Sequence, residues 1–255
     1  MRYKMAEHVR RCRGLGWVPD IPDGRDYLYR AIRPVIRLPK KTELRRYCSP
    51  VEQQGKLGSC TAQALAGNIE FLDRRDDGLH TDVSRLFIYY NERFIMDTVD
   101  YDSGASLRDG IKTLKNEGAC YESVWPYVIK RFDKRPPDRC YMEAAGHRIE
   151  SYHRIGSLRE MLTCLAEGYP FVFGFTVYES IDSARVKRTG VINLPDGGEA
   201  AIGGHAVMAV GYDQKAKRFI VRNSWGRKWG MDGYCTMPFE YLESLAGDFW
   251  TIRRI

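Results

Sequence analysis

A cysteine behind a glycine-rich lead-in, a histidine behind two glycines and an asparagine closing an apolar run could together carry out one reaction. Cys60 follows Gln54-Gly55-Lys56-Leu57-Gly58-Ser59 and opens the apolar-periodic run CTAQALAGNIEFLDRR. In a helix's first turn, a thiol meets unsatisfied backbone N–H groups and the positive end of the helix dipole. Both favour the thiolate, which is the nucleophilic form. The polar lead-in is expected to leave it exposed at the helix tip. Such a nucleophile works with a base. Of the five histidines, His205 follows Gly203-Gly204 and opens the strand-like run HAVMAVGY, so its ring should project from a strand end into a cleft. His8, His80, His147 and His153 sit in polar surroundings, where surface or capping roles are expected. Asn223 ends the run KRFIVRN and precedes Ser224-Trp225-Gly226. Hairpin pairing would set it beside the start of 205–212, where its amide oxygen can hold one imidazole N–H and leave the other nitrogen for the sulfur. Trp225 would shield that bond from water. Taken singly, each residue also has a plainer role, as a core cysteine, a structural histidine or a turn asparagine.

Positioning such a set takes a sizeable core, and the chain has room for one. Its 255 residues, 44% hydrophobic and 29% charged, allow one large domain or two lobes and exclude disordered, collagen-like and low-complexity classes. No run approaches the roughly 18 uninterrupted apolar residues of a membrane span. The basic start MRYKMAEHVRRCRG has no apolar stretch behind it, so no Sec-type signal is read and a cytoplasmic location is expected. The net charge of +7 is spread along the chain without a zinc-finger, RRM or P-loop pattern, so no nucleic-acid partner is expected. Seven scattered cysteines with no C-x-x-C pair argue against structural zinc and a thioredoxin-type motif; most should be reduced and buried. No metal or cofactor is expected, and a monomer is.

Residues 1–37 read as an extended, proline-containing arm whose Trp17, Tyr27 and Tyr29 need a surface to pack on. From about 60 to 118 the periodicity is helical: the Cys60 run, then the apolar VSRLFIYYNERFIM, then a helix opening at Ser106 with Asp109 three residues on. After residue 150, a capped helix from Ser157 ending at Gly168 leads into strand-like runs at 170–177, 205–212, 217–225 and 249–255. Helices followed by strands suggest α+β, with a helical lobe (about 55–150), a sheet lobe (about 151–255) and chemistry in the cleft between them.

In order and spacing, Gln54-x5-Cys60, Gly-Gly-His205-Ala and Asn223-Ser-Trp-Gly resemble the papain family of cysteine peptidases. The family's Asn-Ser-Trp-Gly-x-x-Trp-Gly-x-x-Gly-Tyr run is complete from Asn223 to Tyr234. Pro50-Val51-x-x-Gln54-Gly55 and Gly118-Ala-x-Tyr121 leading to Trp125-Pro126-Tyr127 are similar as well, so the resemblance covers about 38–255. It implies a papain-like fold with a helical lobe and an antiparallel sheet lobe. It also implies hydrolysis of peptide bonds in peptide or protein substrates through a Cys60 thioester. By this resemblance His205 is base and then acid, Asn223 orients it, and Gln54 with the Cys60 N–H forms the oxyanion hole. Gly104 looks like the segment that pairs with substrate backbone, although the family's second glycine is Ala105 here. Gly174, Gly204, Ala206, Trp225 and the region of Leu245 would line the substrate site. The family's disulfide near the nucleophile is missing, with Leu57 where relatives have cysteine. Gly16 to Asp26 resembles the short leader of bacterial members of the xylellain type, which implies that the arm is an intramolecular inhibitor lying along the cleft. Two alternatives share the scaffold: acyl transfer to an amine, and a catalytically idle peptide-binding module.

Overall fold

Thirteen consecutive buried residues, Cys60–Leu72, form the central helix α1 of the computed structural model, which describes residues 14–29 and 37–254. His8, Cys12 and much of the expected leader lie outside the described residues. A helix buried all round needs partners on every side. α2 (Arg85–Ile95) and α3 (Leu107–Asn116) pack on α1 from one side and the sheet from the other. Both begin as their sequences dictate: Ser84 accepts from Phe87 N, and Ser106 from Asp109 N. α3 stops before Gly118, whose φ of +85° reverses the chain. α4 (Asp138–Ala144) completes the helical lobe.

The sheet lobe carries α5 (Leu158–Ala166), capped by Ser157, with α6 (Ala184–Thr189) and α7 (Phe239–Leu245). Its strands are β1 (Lys41–Glu43), β2 (Ser151–Arg154), β3 (Phe171–Tyr178), β4 (Ala201–Asp213), β5 (Arg218–Arg222), β6 (Tyr234–Pro238) and β7 (Ala246–Arg253). They form one antiparallel sheet in the order β2-β7-β3-β4-β5-β6, with β1 against the far end of β4. Thirteen residues long, β4 pairs with β3 over its first part and with β5 over its second. That shared strand ties the substrate side of the sheet to the 218–225 run. Arg222 then joins the lobes: its side chain lies over Gly67 of α1 and donates to Ser49 O and Pro50 O.

Three details differ from the sequence reading. β4 begins four residues before His205, so the histidine stands within a strand, because Ala201 to Gly204 continue the pairing with β3. His147 is buried at 5% exposure, its ring between Ala119 O (3.1 Å) and Asp73 (3.0 Å), where the carboxylate replaces the solvent its polar neighbours suggested. Tyr27 stays exposed, while Tyr29 is buried with its hydroxyl on Glu167 (2.6 Å). Six cysteines are free and buried among the described residues, and none of the described helices is long and apolar enough to cross a membrane.

Candidate active site

Cys60 stands at the first residue of α1, facing β4. It is fully buried, against the expectation of an exposed thiol, because the arm lies across it. Backbone groups of Ala206 and Gly16 hydrogen-bond to the thiol. Those bonds favour thiolate, but burial outweighs them and the nearby Glu92 adds to it, so the thiol is pushed up to about 12. Ser59 does not cap the helix through its side chain; its Oγ shares a 2.6 Å hydrogen bond with the Tyr127 hydroxyl, which donates to Gln54 O at 2.9 Å. Tyr127 thereby fastens the loop before the thiol to the helical lobe.

His205 Nε2 lies 2.8 Å from Asn223 Oδ1, which also accepts from Ser224 N at 2.8 Å. With Nε2 carrying its proton to the amide, Nδ1 of a neutral ring is the basic nitrogen. Trp225 stacks on the imidazole at 4.6 Å between centroids and Phe175 meets it edge-on at 5.8 Å, so the pair is closed off from water. Backbone pairing of Gln53-Gln54 with Ser224-Trp225 brings the fourth side chain beside these. Gln54 Oε1 accepts from Ser224 Oγ, and Gln54 Nε2 donates to Leu57 O (3.0 Å) and Gly14 O (2.8 Å).

Residues 14–20 run along the cleft as a bound strand. Ala105 N donates to Gly16 O at 2.8 Å, Val18 N to Ala105 O at 2.9 Å and Trp17 N to Gly204 O at 3.2 Å. Ala105 therefore serves the backbone contact despite its methyl group. The close approach falls on its neighbour: a Cβ on Gly104, at φ +74°, would come within 2.1 Å of Gly16 O. Gly16 is equally constrained, with Gly58 O only 2.0 Å from where its own Cβ would lie. The Trp17 ring rests on Gly174 and Gly204, and Leu15 covers Gly203. Beyond, Asp20 accepts from Arg108 N and Trp250 Nε1, and Asp26 pairs with Arg108 and Arg154.

The structure thus brings Cys60, His205, Asn223, Gln54, Gly104, Ala105, Gly174, Gly204, Ala206 and Trp225 around one cleft; Leu245, partly buried, ends α7 just before the β7 residue that pairs with Phe175. Three contributors escaped the sequence reading. Ser224 and Tyr127 lay inside quoted motifs without an assigned task, whereas Asp248, which takes the Trp17 indole N–H, carried no signal. Among the described residues no cluster of three or more His, Cys, Asp or Glu is placed to hold a metal ion. A thiol, an imidazole held by an amide and a carboxamide donor around a bound peptide backbone can perform acyl transfer through sulfur.

Comparisons with known proteins agree. The family model described as papain family cysteine protease matches residues 38–242. Xylellain, a cysteine protease from Xylella fastidiosa, is 42% identical, with a TM-score of 0.88 over 96% of this chain and 98% of that one. An uncharacterized peptidase C1-like protein of Acanthamoeba polyphaga mimivirus is 39% identical over 95% of this chain and 88% of its own length. Digestive procathepsin L 3 of Tenebrio molitor, at 16% identity and TM-score 0.73, shares the fold.

Proposed function

The chain belongs to the papain family of cysteine proteases and is a cysteine peptidase, and from that premise we propose how its cleft cuts peptides and how its arm restrains it. Cys60 Sγ, deprotonated by His205 Nδ1, attacks the peptide carbonyl carbon. The oxyanion that forms is held by Gln54 Nε2 and the Cys60 backbone N–H, donors fixed before charge develops. The imidazolium, oriented by Asn223, returns the proton to the leaving amine as the C–N bond breaks. Water, activated by the same ring, hydrolyses the thioester and frees the thiol. The observation that carries this reading is the bound strand itself: a peptide carbonyl, that of Gly14, already occupies the Gln54 donor. Cys60→Ala in the full chain should abolish hydrolysis of a fluorogenic peptide and leave the folded spectrum intact; retained hydrolysis would overturn the assignment.

The arm is a latency segment in this proposal. It holds the cleft's donors, buries the thiol and raises its pKa, so the occupied form has neither an open site nor a thiolate. The Trp17–Ala105 bridge is parallel, and the Gly16 backbone rests on the thiol while Gln54 holds the Gly14 carbonyl. Tethering gives it a high effective concentration, so weak contacts suffice.

A further inference from the structure

Trp17 reveals the chemistry of the pocket it fills. Its ring lies so close to β3 that a Cβ on Gly174 would come within 1.9 Å of Cε2 and 2.2 Å of Nε1; a Cβ on Gly204 would be 2.8 Å from Cε3. Two neighbouring strands thus present bare backbone, which makes a slot for a flat ring. At its end the indole Nε1–H donates to Asp248 Oδ2 at 3.1 Å. Asp248 is 5% exposed, and its two oxygens are divided. Oδ1 accepts from Arg154 Nη2 at 3.2 Å, a contact within the body of the enzyme. Oδ2 takes its two donors from the arm, Trp17 Nε1 and Asp20 N (2.8 Å).

When the arm lifts, both donors on Oδ2 leave together and Arg154 stays on Oδ1. A buried carboxylate oxygen stripped of its partners is costly, so an occupant that brings a donor is favoured over one that does not. The charge of Asp248 is already balanced by Arg154, which itself loses Asp26 when the arm departs. A second cation would meet that guanidinium. Resting on the peptidase reading, we propose that this pocket selects substrates with a flat aromatic side chain bearing a neutral N–H or O–H donor, tryptophan above all, at the second residue before the cut. Asp248 is its specificity-determining residue.

The test uses the full chain carrying Trp17→Ala, which empties the pocket, and blocked fluorogenic dipeptides with Trp, Phe, Leu or Arg in the second position before the cut and one common residue next to it. The arm lowers every rate by the same factor, so the ratio of kcat/KM between two peptides does not depend on how much enzyme is open. The Trp peptide should be preferred over Phe by about tenfold or more, as one hydrogen bond to a charged acceptor allows, with Arg below Phe. Adding Asp248→Ala should bring the Trp-to-Phe ratio close to one. Phe, Leu or Arg equalling Trp, or a Trp preference that survives Asp248→Ala, would overturn the pocket assignment. Should Asp248→Ala not fold, the four-peptide comparison in Trp17→Ala decides by itself. Cleavage of all four without a Trp preference sinks this inference alone, whereas cleavage of none sinks the peptidase reading beneath it.

Discussion

Gln54 has no freedom to turn: its carbonyl oxygen is held by Ser224 Oγ and one amide hydrogen by Leu57 O, which leaves the other hydrogen aimed into the cleft at Gly14 O. A donor fixed in this way costs no reorganisation when an oxyanion forms. Gln54→Ala should therefore lower kcat by about 10²–10³ with little change in KM, the typical loss for one oxyanion donor. Ser224→Ala should lower kcat less, since the donor stays and only its orientation relaxes. Steady-state kinetics on one fluorogenic peptide checks both, and a larger loss from Ser224→Ala would reverse the roles. His205 and Asn223 follow the same logic. Asn223→Ala removes the group on Nε2 and spares the base, so it should harm turnover less than His205→Ala. At this scale the sequence was most informative. The glycine pair before His205 and the Asn223-Ser-Trp-Gly run are local signatures, and local order survives in the chain. Asp248 could not be read, because its task is set by an indole 231 positions away.

The elements place these residues, and their boundaries were less legible. α3 and α5 start where periodicity and serine caps set them, since a cap is a contact between neighbours in sequence, and α1 starts at Cys60, where its apolar periodicity begins, without a side-chain cap. The start of β4 and the burial of His147 depend on partners far along the chain, a strand edge in one case and Asp73 in the other, and neither leaves a local mark. The arm shows the same limit. Its prolines and aromatics pointed to a docked strand, but which backbone atoms meet the cleft is a tertiary fact. Gly16 is the point where that docking is most constrained. Replacing it with alanine would drive a methyl group into Gly58 O, a backbone atom that cannot swing aside. Gly16→Ala should thus unseat the arm and raise the peptidase activity of the full chain, read as initial rate at equal folded protein. An unchanged or lower rate would mean that the arm does not restrain the enzyme.

Across the whole molecule, the buried Glu70 and Arg222 link α1 to the sheet. Burial pushes the Glu70 carboxyl up to about 7, although Arg222, Ser49 and Val83 pull it down. A carboxyl whose pKa is raised on folding binds a proton in the native state that the unfolded chain has released. Stability from this group is therefore fully present below 4.5 and is lost as pH rises towards 7. Glu70→Gln, which mimics the protonated form, should gain thermal stability relative to the wild type as pH rises through that window; a difference independent of pH would contradict the assignment. The central claim joins the cleft to the arm: Cys60 reacts, and only when residues 14–20 are displaced. The most direct test is alkylation of the full chain by a thiol-reactive peptidyl epoxide, followed by mass mapping, in the wild type and in Gly16→Ala. The account predicts a single adduct on Cys60, formed at least about tenfold faster in the variant because the open population is larger. An adduct on another cysteine, or equal rates in the two proteins, would contradict it.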